Sequence, residues 1–219
     1  RTSAPELLAD PWGRRVYDLF NSGPEGRMQA FMEVIKVSTR PPFESPMQSN
    51  DGAWSIWREF LHKADGYNNT GSFTAMRGFE WTSTPNGNNL HRVVILADGA
   101  ATTSKILPYS MFDSVDPEGL WDYLASYKEE QGGRSFAIPH NGNVSNGLMF
   151  SGRMSNGKRM TREYAAKRIL WEPLHELSQT KGDEETHPYL SPDDEFADFE
   201  TWDASNLAGS APKDKSILQ

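Results

Sequence analysis

Apolar positions recur with helical spacing through the first third of the chain. Trp12, Val16, Leu19 and Phe20 share one helical face, and Met28, Phe31, Met32 and Ile35 repeat at i, i+3, i+4 and i+7. Ser22, followed by Pro24 and Glu25, reads as the start of the second of these helices, a capping box with proline in the first turn. Pro41, Pro42 and Pro46 end it. Trp54, Trp57, Phe60 and Leu61 predict a third amphipathic helix. Core packing is the role expected of all three stripes.

The period then changes. Residues 73–81 are short and rich in strand formers, residues 85–89 (Pro-Asn-Gly-Asn-Asn) read as a turn, and residues 90–96 read as a strand. Asp116 and Pro117 start a helix as N-cap and first residue, with Leu120, Trp121, Leu124 and Tyr127 on its apolar face and Gly132-Gly133 closing it. Residues 135–138 predict a short buried strand that runs straight into Pro139-His140-Asn141-Gly142-Asn143. Thr161 is placed to cap a basic helix through Arg168, and residues 169–174 read as a further strand. Strands separated by helices predict an α/β architecture. The 219 residues suit one domain, or an internal part of one. It divides into a mainly helical part over 1–66, an α/β part over 67–203 and a tail over 204–219.

Composition narrows the function classes. Hydrophobic residues make up 37% of the chain, enough for a core, while the mean hydropathy of -0.67 indicates much polar loop. No apolar run approaches the ~20 residues of a membrane helix, so no membrane partner is expected. The net charge of -8 argues against a nucleic-acid partner, which needs a basic footprint. The first residues are not hydrophobic and there is no initiator Met. Either a leader has been removed or the chain is an internal segment, and the compartment stays open, export to the periplasm included. With no Cys, disulfides, thiolate zinc sites and Cys nucleophiles are excluded. Any metal must be held by His, Asp, Glu or backbone oxygen. Residues 172–203 hold eleven carboxylates and one base, Lys181, interleaved with Phe196, Phe199 and Trp202, which predicts folded structure beneath the charge.

Three possible metal ligands sit at strand ends. Glu80 ends one strand, His91 begins another and His140 follows a third. Imidazole and carboxylate suit zinc, manganese or iron, and a carboxylate can bridge two ions at about 3.5–4 Å. The competing reading is of hydrogen-bonded structural histidines. Gly142 and Gly147 either permit tight turns or let the loop's amides approach a substrate. In a second constellation, residues 172–188, Lys181 either binds an anion or neutralises its neighbours, and His187 is a ligand, a proton carrier or an ion-pair partner. His62 and His175 read as structural. No Gly-x-Ser-x-Gly elbow, phosphate-binding Gly-Lys-Ser/Thr loop or Gly-x-Gly-x-x-Gly turn is present, which leaves serine hydrolases, P-loop nucleotidases and dinucleotide folds without support.

Five ordered strings are more specific than any of these features. They are Gly78-Phe79-Glu80-Trp81-Thr82-Ser83; Asn89-Leu90-His91-Arg92-Val93-Val94; Ile138-Pro139-His140-Asn141-Gly142-Asn143 with Ser145-Asn146-Gly147; Gln179-Thr180-Lys181-Gly182 with Glu185-Thr186-His187-Pro188; and Asp194-Glu195-Phe196-Ala197-Asp198-Phe199-Glu200. Together they resemble a bacterial family classed as a domain of unknown function and related to the PHP (polymerase and histidinol phosphatase) superfamily. The resemblance implies a distorted α/β barrel with two or three divalent metals at the strand ends, and phosphoesterase activity in which metal-activated water attacks phosphorus. It implies Glu80 as the bridging carboxylate, with His91 and His140 as further ligands. Arg92, Asn141, Lys181 and His187 are then expected near an anionic small-molecule substrate. The superfamily's His-x-His, Asp-His and Asp-x-His elements are missing. That predicts an internal segment with an incomplete ligand set, which binds metal weakly or not at all and is inactive in isolation, and unpaired edge strands available for self-association. The alternative function is a non-catalytic glycan- or ligand-binding module, supported by the Trp and Tyr content, which would need an exposed aromatic platform.

Overall fold

The computed structural model describes residues 5–179, 182–183, 192–195 and 197. Four helices come first: α1 (Pro5–Ala9), α2 (Pro11–Asn21), α3 (Pro24–Thr39) and α4 (Asp51–Tyr67). Strands β1 (Arg77–Trp81) and β2 (Arg92–Leu96) follow, then the short α5 (Ala100–Thr103), α6 (Pro117–Gln131), β3 (Ser135–Pro139) and α7 (Arg162–Trp171). Two-residue strands β4 (Ser178–Gln179) and β5 (Gly182–Asp183) pair with each other. The mixture of helix and sheet agrees with the sequence pattern. The main sheet, however, is open and antiparallel in the order β1-β2-β3, not a closed barrel. No described helix is long and apolar enough to cross a membrane.

One face of the sheet makes the core. Trp81, Val94, Leu96 and Ala137 pack with Trp57 and Leu61 of α4, with Leu120, Trp121, Leu124 and Tyr127 of α6, and with Trp171 of α7. Each Val or Leu among them contributes about 1.5–3 kcal/mol by leaving water. The α6 boundaries are those its sequence predicts: Asp116 Oδ1 accepts from the Glu118 amide, and Gly132 closes the helix in the left-handed conformation. Thr161 Oγ1 likewise accepts from the Tyr164 amide at the start of α7.

Three expectations are corrected. Residues 169–174 do not form a strand: α7 continues to Trp171, with Ile169 and Leu170 exposed. Tyr164, Arg168 and Trp171, at helical spacing, meet Trp121, Glu172 and the core, and these contacts outweigh the strand preference of Ile-Leu-Trp. Ser22 does not cap α3, because its hydroxyl turns back to the Leu19 carbonyl at the end of α2. Gly23, at φ 109°, makes the corner instead. Finally, Met28, Phe31 and Met32 are 61%, 58% and 54% exposed, not core. Helix α3 buries its small residues Gly26 and Ala30, and a Cβ at Gly26 would collide with the Leu19 carbonyl oxygen.

Candidate metal centre

The register of the sheet explains why three residues distant in sequence meet. Arg77 pairs with Leu96 and Trp81 with Arg92, while Arg92 pairs with Pro139. Extending these ladders by one residue sets His91 opposite His140, and the His140 amide donates to the His91 carbonyl at 3.4 Å. Side chains alternate faces along a strand. Trp81, Arg92 and Ala137 point into the core, so Glu80, His91 and His140 all project from the other face, at one end of the sheet. Glu80 lies diagonally across from His91, a separation long side chains span.

The three ligand atoms lie within 4.8 Å of one another. Glu80 Oε1 is 2.9 Å from His91 Nδ1 and 3.5 Å from His140 Nε2. The imidazole centroids are 5.7 Å apart. Both histidine side chains are mostly buried, whereas 44% of the Glu80 side chain is open to solvent, so the group can be reached from outside. Hydrogen bonds from His140 first and His91 second hold the Glu80 carboxyl well below the usual carboxylate range, against the opposing effect of burial. It is therefore anionic at neutral pH.

This donor set fits a divalent ion. Metal–ligand bonds of about 2.0–2.1 Å in tetrahedral geometry put ligand atoms roughly 3.3 Å apart, close to the spacings around Glu80 Oε1. His140 Nε2 is buried and lies 3.5 Å from Glu80 Oε1, near the separation of two ligand atoms on one tetrahedral ion. His91 Nε2 lies 2.8 Å from Thr84 Oγ1, which fixes the ring with its other nitrogen toward Glu80.

The supporting contacts come from residues that the sequence left unassigned. Asn89 is fully buried, and its Nδ2 donates to the carbonyls of His140 at 2.7 Å and Asn141 at 3.0 Å, clamping the loop behind the second imidazole. Glu176 accepts from the Asn141 amide at 3.0 Å, and its own amide donates to the Pro139 carbonyl. The sequence signals were present: Thr84 and Asn89 flank the turn between β1 and β2, and Asn141 takes the left-handed conformation that Asn tolerates (φ 55°).

The expected substrate-binding residues separate in space. Asn141 follows His140 in the chain, is 1% exposed, and its Nδ2 has no hydrogen-bond partner among the described residues. Arg92 lies on the opposite face of the sheet, 1% exposed. Its Nε donates to Glu172 Oε1 at 2.9 Å, its Nη1 donates to the Leu90 carbonyl, and its guanidinium stacks on Trp81. Burial pulls its pKa down, and the Glu172 carboxylate opposes that pull. Residue alternation accounts for this placement, because a side chain next to His91 must face the other way. Lys181 and His187 lie outside the described residues, as do Phe196, Phe199, Trp202 and the tail. His175, expected to be structural, packs edge-on against Phe150, and burial lowers its pKa. His62 lies beside a shallow surface cavity with Asp65 and Arg58. Of the tryptophans that a glycan platform would need, Trp57, Trp81 and Trp121 are core, while Trp54 is partly buried under the Arg58 guanidinium.

Comparison with known proteins adds a family. No curated protein and no solved structure matches the chain. A family model described as a protein of unknown function, DUF3604, matches residues 1–219, the whole length of the sequence. The chain belongs to the DUF3604 family.

Proposed function

We propose that the chain carries part of the active site of a metal-dependent, phosphoesterase-like hydrolase, with Glu80, His91 and His140 holding a zinc, manganese or iron ion. The convergence of their ligand atoms within 4.8 Å carries this reading. Three protein ligands leave coordination positions for water and substrate. A divalent ion there supplies Lewis acidity and lowers the pKa of a coordinated water. Thr84 keeps His91 oriented, and Asn89 and Glu176 hold the backbone on either side of His140. Asn141, next to His140 in the chain and with an unbonded amide, is assigned to an anionic substrate, and Lys181 and His187 join it in this reading. Arg92 acts from beneath, as the buried ion pair that anchors β2. The resemblance to the PHP superfamily supports the phosphoesterase class. It also carries the distorted barrel, of which the three-stranded sheet would be one wall.

A panel of phosphate mono- and diesters, assayed on the complete gene product, tests the proposal. Hydrolysis is expected to disappear on chelation, to return with zinc, manganese or iron, and to be absent from Glu80→Gln. Turnover that chelators and Glu80→Gln leave intact would refute it. No observation favours the glycan-binding alternative, since three of its four tryptophans are in the core.

A further inference from the structure

Residues 151–168 carry Arg153, Lys158, Arg159, Arg162, Lys167 and Arg168 against one carboxylate, Glu163, in a chain of net charge -8. The first part is a small hairpin. Arg153 and Arg159 form an antiparallel bridge, the Met154 amide donates to the Lys158 carbonyl at 2.9 Å, and Gly157 makes the turn at φ 79°. Residues directly opposite in such a bridge present their side chains on the same face, and like charges there repel. Arg153 Nη1 donates to the Gly157 carbonyl, which leaves most of the guanidinium donors of the pair to other partners.

The two arginines, with Gly147, Phe150, Ser151 and Gly152, line an open surface cavity of about 490 Å³. This size is within the range of small-molecule sites, and no carboxylate among the described residues lines it. The Phe150 wall is backed by a third guanidinium, that of Arg168, 4.7 Å from the ring centroid. Asp116, the acid that reaches the hairpin through Ser155, is engaged as the N-cap of α6. We propose that this cavity is an oxyanion site, in which Arg153 and Arg159 together hold a phosphate- or sulfate-type group. An anion between them turns a repulsive pair into two charge-assisted, fork-shaped contacts. The site needs neither the metal centre nor its chemistry. Through Gly147 it adjoins the loop that begins at His140.

Titrating inorganic phosphate, and separately inorganic sulfate, into the protein with a chelator present tests this, with backbone amide NMR shifts of residues 147–159 as the readout. Saturable shifts are expected, weakened at least ten-fold by Arg159→Ala and by Arg153→Ala. Arg153 also braces the hairpin, so Arg159→Ala is the deciding variant. Lys158→Ala and Arg162→Ala remove the same charge outside the cavity and are expected to change affinity less than two-fold. Glu80→Gln is expected to leave anion binding unchanged, which separates this site from the proposed hydrolase centre. The absence of saturable binding would overturn the inference. So would equal weakening by all four charge removals, which marks diffuse attraction, or loss of binding in Glu80→Gln.

Discussion

Glu80 sits as an anion between two imidazoles because one ring nitrogen of each histidine faces its Oε1, and Thr84 fixes which nitrogen of His91 does so. Thr84→Val keeps the shape and removes that hydroxyl. Metal affinity, measured by titration, is expected to fall about 10–100-fold, the usual effect of removing an outer partner of a ligating histidine. Glu80, His91 and His140 were legible in the sequence because each stands where a strand ends or begins. Thr84, Asn89 and Glu176 were not, since their roles depend on hydrogen bonds that exist only once β1, β2 and β3 are in register. Arg92 shows how adjacency misleads. It neighbours His91 in sequence, yet the two-residue period of a strand sends its side chain to Glu172 on the other face.

Elements are tied together by a few carboxylates. Glu172, 1% exposed in its side chain, accepts from Arg92 of β2, Trp121 of α6 and Arg168 of α7. Glu172→Ala leaves a buried guanidinium unpaired and is expected to cost roughly 3–5 kcal/mol in denaturant unfolding. Asp10 joins α2 to the segment before α4. Backbone amides of Gln48 first and Gly13 next hold its pKa below the ordinary value, with Trp12 adding to them against burial. A depressed carboxylate pKa stabilises the fold fully above the unfolded value of about 3.9 and loses that effect as pH falls through the lower folded value. Asp10→Asn is therefore expected to lose less stability than the wild type between about pH 5 and about pH 2, as thermal melts across that window would show. Helix starts were readable where one side chain does the capping, as at Asp116 and Thr161. The end of α7 was not, because long-range contacts of Trp171 and Glu172 decide it.

At the scale of the molecule, α4, α6 and α7 cover one face of the sheet and leave the other to the Glu80–His91–His140 cluster, while α1 packs on α4 and α2, and α2 on α3. The periodicity of α3 gave its helical form but not its buried side, since Gly26 and Ala30 carry no hydrophobic signal comparable with Met28, Phe31 and Met32. Phe31→Lys is expected to change unfolding free energy by no more than about 0.5 kcal/mol, against roughly 3–5 kcal/mol for truncating a core phenylalanine. The proposed chemistry rests on the Glu80–His91–His140 cluster. Calorimetric titration of zinc and of manganese into chelator-stripped protein, repeated on Glu80→Gln and His140→Ala, tests it most directly. The structure predicts one saturable binding event in the wild type, abolished or weakened by at least about ten-fold in each variant. Binding that is absent from the wild type, or equal in all three proteins, would contradict it.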